Sequence, residues 1–158
     1  MTNARERLRH LGITLPPAPA PAASYVQTRL VAIGDGRSLL YVAGQISREG
    51  DRVLGGRCPD QISIEEANRR ARLCGLSVLA QIEQAVGLDS VVELIEVLGF
   101  VQSADGFADQ PKVVNGASDL FVEVFGADGR HTRAAVGTNG LPLGATVEIA
   151  AVAVVRTG

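Results

Sequence analysis

The chain has 158 residues, a formal net charge of −2, and 46% hydrophobic against 20% charged residues. That length fits one domain, which hides roughly two-thirds of its unfolded surface on folding, and the faintly acidic balance offers no basic stripe for nucleic acid. Cys58 and Cys74, without CxxC spacing or nearby histidines, exclude a disulfide framework or a cysteine metal knot.

No apolar run reaches the length of a membrane span, and the N-terminus lacks a signal-peptide core. A cytoplasmic location, in a reducing compartment, is the expectation.

In chain order, Asn3 to Leu11 reads as a short charged helix, and PPAPAPAAS then forces an extended connector. Residues 1–24 are therefore expected to form an arm laid over a body of residues 25–158. Strand signals run through Arg29–Ile33 and Leu39–Ile46, parted by the turn-forming Gly34-Asp35-Gly36. Gly50-Asp51 marks a second turn, and Val53-Leu54 a short third strand.

Ser63-Ile64-Glu65-Glu66 is a capping box, with Ser63 as N-cap and Glu66 at N3. Ile64, Ala67, Ala71, Cys74, Val78 and Ile82 recur at helical spacing up to Gly87, and Cys74 on that stripe is expected to be a buried thiol. Val91–Val101 reads as a strand in which Glu93 and Glu96 have opposite parity, so they are not expected to pair on one face.

Asp109-Gln110-Pro111 starts a second long helix, whose buried face is Val113, Ala117, Leu120, Phe121 and Val124 and whose end is Gly126. Strands Thr132–Gly137 and Thr146–Val155 finish the chain around Asn139-Gly140 and Pro142. The order βββ-α-β-α-ββ gives an α+β fold with two helices on one face of a sheet. The other face is left apolar and uncovered, which predicts self-association.

Walker, GxGxxG, HExxH and GxSxG patterns do not occur. The arginine groups Arg5, Arg7, Arg9 and Arg69, Arg70, Arg72 read as solvated helix faces. His10 and His131 read as surface residues, which weakens an acid/base ribonuclease mechanism. Two residues stand out instead. Arg133 carries a fixed charge in a fork that fits a carboxylate. Glu148, fifteen positions later in an otherwise apolar strand, is a candidate base or water-orienting group. Either residue could equally be a solvated side chain of a terminal strand.

Tyr41-Val42-Ala43-Gly44-Gln45-Ile46, the Asn115 segment, Arg133 with Leu141-Pro142 eight positions on, and Val147-Glu148-Ile149 together resemble the RidA/YjgF family. The likeness runs from about Tyr25 to Val155, and QPKVVNGASDLFVEVFG with the Pro-rich arm marks a longer branch. The resemblance implies a chorismate-mutase-like fold, assembled as a homotrimer with sites in clefts between subunits. It also implies that the last two strands are not sheet neighbours, so Arg133 and Glu148 do not face each other in a hairpin.

By the same resemblance the activity is cofactor- and metal-free hydrolysis of reactive enamines and imines, such as 2-iminopropanoate and 2-aminoacrylate, to 2-oxo acids and ammonia. Arg133 would grip the substrate carboxylate and Glu148 would orient the attacking water. The backbones of Gly44 and Ala135 would hold the small polar end, Asn115 would shape the pocket, and Tyr25 would close the cleft. Ala43 stands where relatives commonly have serine, and Ala135 where many have cysteine. A trimer that binds a small 2-oxo acid without turning it over is the alternative, and endoribonuclease activity a third reading.

Overall fold

The computed structural model describes residues 3–158. Asn3 caps α1 (Ala4–His10) by accepting the Glu6 N–H, which satisfies one of the donors a helix start leaves orphaned. Ala4 and Leu8 are buried in the common core, and Arg5 meets Glu83 at 2.6 Å. The arm is thus pinned at its beginning. Its Pro-rich stretch carries neither helix nor strand, and the Pro19 carbonyl accepts from Gln81 Nε2 at 2.7 Å.

β1 (Thr28–Gly34) and β2 (Arg37–Ile46) form an antiparallel hairpin whose turn residues Asp35 and Gly36 both have positive φ. That is the turn geometry which follows the twist of paired strands. The short strand expected at Val53-Leu54 forms at Val53 but not in the main sheet, and Leu54 lies beyond it. Val53 belongs to a minimal hairpin of β3 (Arg48–Glu49) and β4 (Arg52–Val53), outside the main sheet. Leu54 instead donates its N–H to Ser47 and accepts from Thr146, tying the hairpin to the start of the last strand.

α2 (Ile64–Ala85) begins as the sequence indicates, with Ser63 Oγ accepting the Glu66 N–H. Only half of the capping box forms, because the Glu66 carboxylate turns to Arg69 and Arg70. β5 (Val91–Gln102) follows, then α3 (Gln110–Phe125) with Pro111 in its first turn and Gly126 as C-cap. β6 (Thr132–Thr138) and β7 (Val147–Arg156) complete the chain.

The main sheet has the order β1-β2-β7-β5-β6, and only β5 and β6 run parallel. β5 lies between β6 and β7, so the two final strands are not neighbours, as the family resemblance implied. α2 and α3 cover one face at close range. A methyl on Gly116 would strike the Asn68 backbone, and one on Gly75 would come within 3.0 Å of Leu120. Leu79, Ile82, Val97, Leu120, Phe121 and Ile149 fill the space beneath. Among the described residues no element covers the opposite face, and Val31, Ile33, Tyr41 and Val136 stand exposed on it or at its edges.

The parity argument for Glu93 and Glu96 does not survive. β5 is bulged between Leu94 and Glu96, and the two acids pair with Val154 and Val152, which share a face of β7. An extra residue in one strand reverses the alternation beyond it. Both carboxylates are exposed.

Candidate functional site

Alternation along central β7 buries Val147, Ile149, Ala151 and Ala153 against the helices. Glu148, one position out of step, projects from the open face and is half-buried there. It pairs across the sheet with Ile46 of β2 and Phe100 of β5. β2 is irregular just before this point, with three steps from Val42 to Gln45 against two from Ala151 to Ile149. The extra residue brings Gly44 under the Glu148 side chain, and a methyl group at 44 would fall on the carboxyl. Only glycine permits this approach.

Burial pushes the Glu148 carboxyl above its ordinary pKa, because an apolar setting disfavours the charged form. Tyr25, Gly44, Arg48, Leu143 and Glu148 line a cleft of about 270 Å³, closed on one side by arm residues Pro19 to Ala23. Side-chain amides hold this cleft in register. Gln45 Nε2 donates to Gln27 Oε1 at 2.8 Å and to the Ala43 carbonyl at 2.9 Å. Gln81 Nε2 bridges the Pro19 carbonyl and Gln45 Oε1. Arm, β2 and α2 are thereby joined beside the carboxylate.

Arg133 occupies the outer strand β6, opposite Val97. Its side chain points to the helix layer, where Nη1 donates to Asn115 Oδ1 at 2.8 Å and Ser118 Oγ at 3.1 Å. Nη2 lies 3.4 Å from the Pro111 carbonyl. Behind Ser118 stands His131, which is half-buried rather than on the surface as expected. Its Nδ1 donates to the Gly129 carbonyl at 2.7 Å. That fixes the tautomer, so Nε2 accepts the Ser118 hydroxyl hydrogen at 2.9 Å and leaves Oγ lone pairs for Arg133. Burial first, and the Arg133 charge as well, lower the imidazole pKa and keep it neutral.

The sequence-expected residues therefore fall into two groups. Tyr25, Gly44 and Glu148 share one cleft. Arg133 and Asn115 form the other group, with Ala135 two residues along the same edge strand. Val97 and Phe100 of β5 are three residues apart with no bulge between them, and they face Arg133 and Glu148 respectively. Arg133 and Glu148 therefore leave opposite faces of the sheet, two strands apart, and do not meet within one chain.

Sequence reading missed Ser118, His131 and Gln81 as supports, and Arg48 as a cleft residue. A signal existed for Gln81, a polar residue seven positions after Cys74 on the apolar stripe of α2. None existed for Ser118 and His131, which come together only in the fold.

The remaining candidates lie apart from this chemistry. Cys74 is fully buried, donates weakly to the Val147 carbonyl, and has its thiol pKa pushed far up by burial. Arg69, Arg70 and Arg72 are paired with Glu49, Glu66 and Glu123, and His10 is exposed. Among the described residues no group of His, Cys, Asp and Glu gathers to hold a metal, and no helix is long and apolar enough to cross a membrane.

A family model described as "YjgF/chorismate mutase-like, putative endoribonuclease" matches residues 5–154, a span that begins inside α1. Protein TCP17 of Trypanosoma cruzi is 41% identical over 145 residues, covering 90% of this chain and 88% of its own. The crystal structure of Atu1372 from Agrobacterium tumefaciens is 38% identical with a TM-score of 0.82, covering 97% of this chain and 92% of its own. E. coli TdcF, solved with bound serine, is 26% identical with a TM-score of 0.58, over 88% of this chain and 93% of its own.

Proposed function

This chain belongs to the YjgF/chorismate mutase-like family, and on that premise we propose that it is a cofactor-free hydrolase of small imines and enamines bearing a carboxylate. The products are a 2-oxo acid and ammonia, and the site is built between copies of the chain in a homotrimer. The observation that carries this reading is the separation of Arg133 and Glu148 onto opposite faces of one sheet. Each is held ready by its own neighbours, and each lacks what the other supplies. The uncovered apolar face and the edge strand β6 offer the surface on which copies would meet, and Arg133 on that edge of one copy would stand beside the cleft of the next.

The chemistry then needs little more than orientation. Arg133 holds the substrate carboxylate through paired hydrogen bonds. Glu148 takes a proton from water as the water oxygen bonds to the imine carbon, and the C=N π pair moves to nitrogen. The same carboxyl returns the proton to nitrogen, then carries the carbinolamine hydroxyl proton to that nitrogen as C=O forms, the C–N bond breaks and ammonia leaves. A raised carboxyl pKa suits a group that accepts and then donates within one turnover. Fixing substrate and water together removes much of the entropic barrier. TdcF, with serine bound, shows that a relative accepts a ligand of amino-acid size.

Ribonuclease action has weaker support, since burial and the Arg133 charge lower the His131 pKa, both its ring nitrogens are engaged by Ser118 and Gly129, and the α2 arginines are spent on acids. The working location under this proposal is the cytoplasm. To test the reading, an amino-acid oxidase generates 2-iminopropanoate in situ and its decay is followed with and without the protein. Acceleration that is lost in Arg133→Ala but kept in the exposed Arg37→Ala supports it. No acceleration, with pyruvate still bound in calorimetry, would leave a non-catalytic binder of 2-oxo acids.

A further inference from the structure

Arg48 opens β3, three residues beyond the Gln45 that anchors the cleft, and its side chain is half-buried. It lines the Glu148 cleft and also a larger cavity of about 760 Å³ beneath the Pro-rich arm. Pro19, Ala20 and Ala22 border both spaces, so Arg48 stands where one passes into the other. The arginines around it are committed: Arg52 and Arg69 to Glu49, Arg70 to Glu66, and Arg72 to Glu123. The Arg48 guanidinium makes no hydrogen bond or ion pair with any described residue, and only its backbone pairs, with Val53.

A guanidinium presents five N–H donors and cannot lose its charge. Glu148 lines the cleft and Glu49 and Asp51 the larger cavity, but none of them engages the Arg48 guanidinium, which is left to receive an anion. It does not duplicate Arg133, which belongs to the other half of the site and has partners of its own.

Resting on the proposed imine chemistry, we infer that Arg48 binds a second anionic group on the substrate, so that the preferred substrates are imines of dicarboxylic 2-oxo acids. Formal charges favour this choice. The Glu148 cleft, completed by Arg133 of a neighbouring copy, holds two arginines and one carboxylate, while Glu49 and Asp51 line only the larger cavity. A dicarboxylate carrying an iminium brings two negative charges and one positive, and the total is then zero. A monocarboxylate leaves one arginine unmatched at the rim of an apolar cavity, which is the costlier arrangement. Arg48 acts on specificity. The bond-making steps stay with Glu148 and water.

The test compares two substrates of equal carbon number, 2-iminoglutarate and 2-iminopentanoate, each generated in situ from its amino acid. The wild-type protein is expected to prefer 2-iminoglutarate in kcat/KM. Arg48→Gln should lower that value by roughly 10- to 100-fold more than it lowers the value for 2-iminopentanoate, the size of one charge-assisted contact. Arg48→Lys should keep part of the preference, and it carries the test if Arg48→Gln melts early. Equal losses on both substrates, or a wild-type preference for 2-iminopentanoate, would overturn the assignment and leave the deaminase reading standing.

If neither imine is turned over, that reading fails by itself. Calorimetry with 2-oxoglutarate and 2-oxopentanoate then decides for Arg48. Tighter binding of 2-oxoglutarate, lost in Arg48→Gln, upholds the second anion site, and equal binding or none removes it.

Discussion

The Glu148 cleft and the Arg133 edge are prepared in different ways. Glu148 is set by backbone and burial: a bulged β2, a glycine with no room for a side chain, and an apolar setting that raises the carboxyl pKa. Arg133 is set by side chains, through Asn115 and through Ser118 with His131 behind it. A base gains reactivity from losing water, whereas a clamp needs its fork aimed while its charge stays fixed. The two regions teach that one sheet can hold both environments if they leave it from opposite faces. Under the proposed function, joining them falls to a second copy.

Breaking either half outright should have the largest effect. Glu148→Gln is expected to lower kcat on 2-iminopropanoate by roughly 10²- to 10⁴-fold, as loss of a general base does. Arg133→Ala should lower kcat/KM by roughly 100-fold, through loss of the bidentate contact. Steady-state kinetics that left either value within a few-fold of wild type would remove that residue from the chemistry.

Next comes Gly44→Ala, which attacks the cleft without replacing a titratable residue. The methyl displaces the Glu148 carboxyl, and an activity loss of tenfold or more is expected, with a lowered Tm at the cost of about 1–3 kcal/mol typical of overpacking. The equivalent probe of the other half is gentler. His131→Phe keeps the ring against Phe121 but removes the acceptor for the Ser118 hydroxyl. KM should rise about three- to tenfold with kcat little changed, because Arg133 loses aim and keeps its charge.

The smallest effect is on stability against pH. The folded-state pKa of Glu148 lies above its ordinary value, so the native chain binds more protons than the unfolded one just above that value. Stability from this group is present at low pH and declines as pH rises through the folded pKa. Glu148→Gln should therefore raise Tm at pH 7 and lose its advantage below about pH 4, near the ordinary carboxyl pKa. A melting series across that range checks the sign. Arg133 offers no matching lever, since its charge does not titrate in the range.

Much of the framework was legible from local chemistry. Ser63 marked the start of α2, Pro111 the first turn of α3, and the apolar stripe through Ala71, Cys74 and Val78 the buried face. Arg133 and Glu148 stood out because motif spacing set them in register with Leu141-Pro142, and their roles belong to the proposed function. What escaped were features that local pattern does not encode. The β5 bulge between Leu94 and Glu96 has no glycine or proline to announce it, so alternation placed Glu93 and Glu96 on the wrong faces. Val53 looked like a strand by residue type, but only the Ser47 and Thr146 hydrogen bonds decide where that segment sits. Ser118 and His131 lie thirteen residues apart and act together only once α3 packs on β6.

Subunit mixing tests the shared site most directly. Arg133→Ala and Glu148→Gln chains, each inactive alone, are unfolded together and refolded at equal concentration, with trimers confirmed by sedimentation. A site that takes Arg133 from one copy and Glu148 from its neighbour in a closed ring predicts recovery of about a quarter of wild-type activity, the share of interfaces that pair two intact residues. Mixed trimers with no more activity than either parent would contradict it.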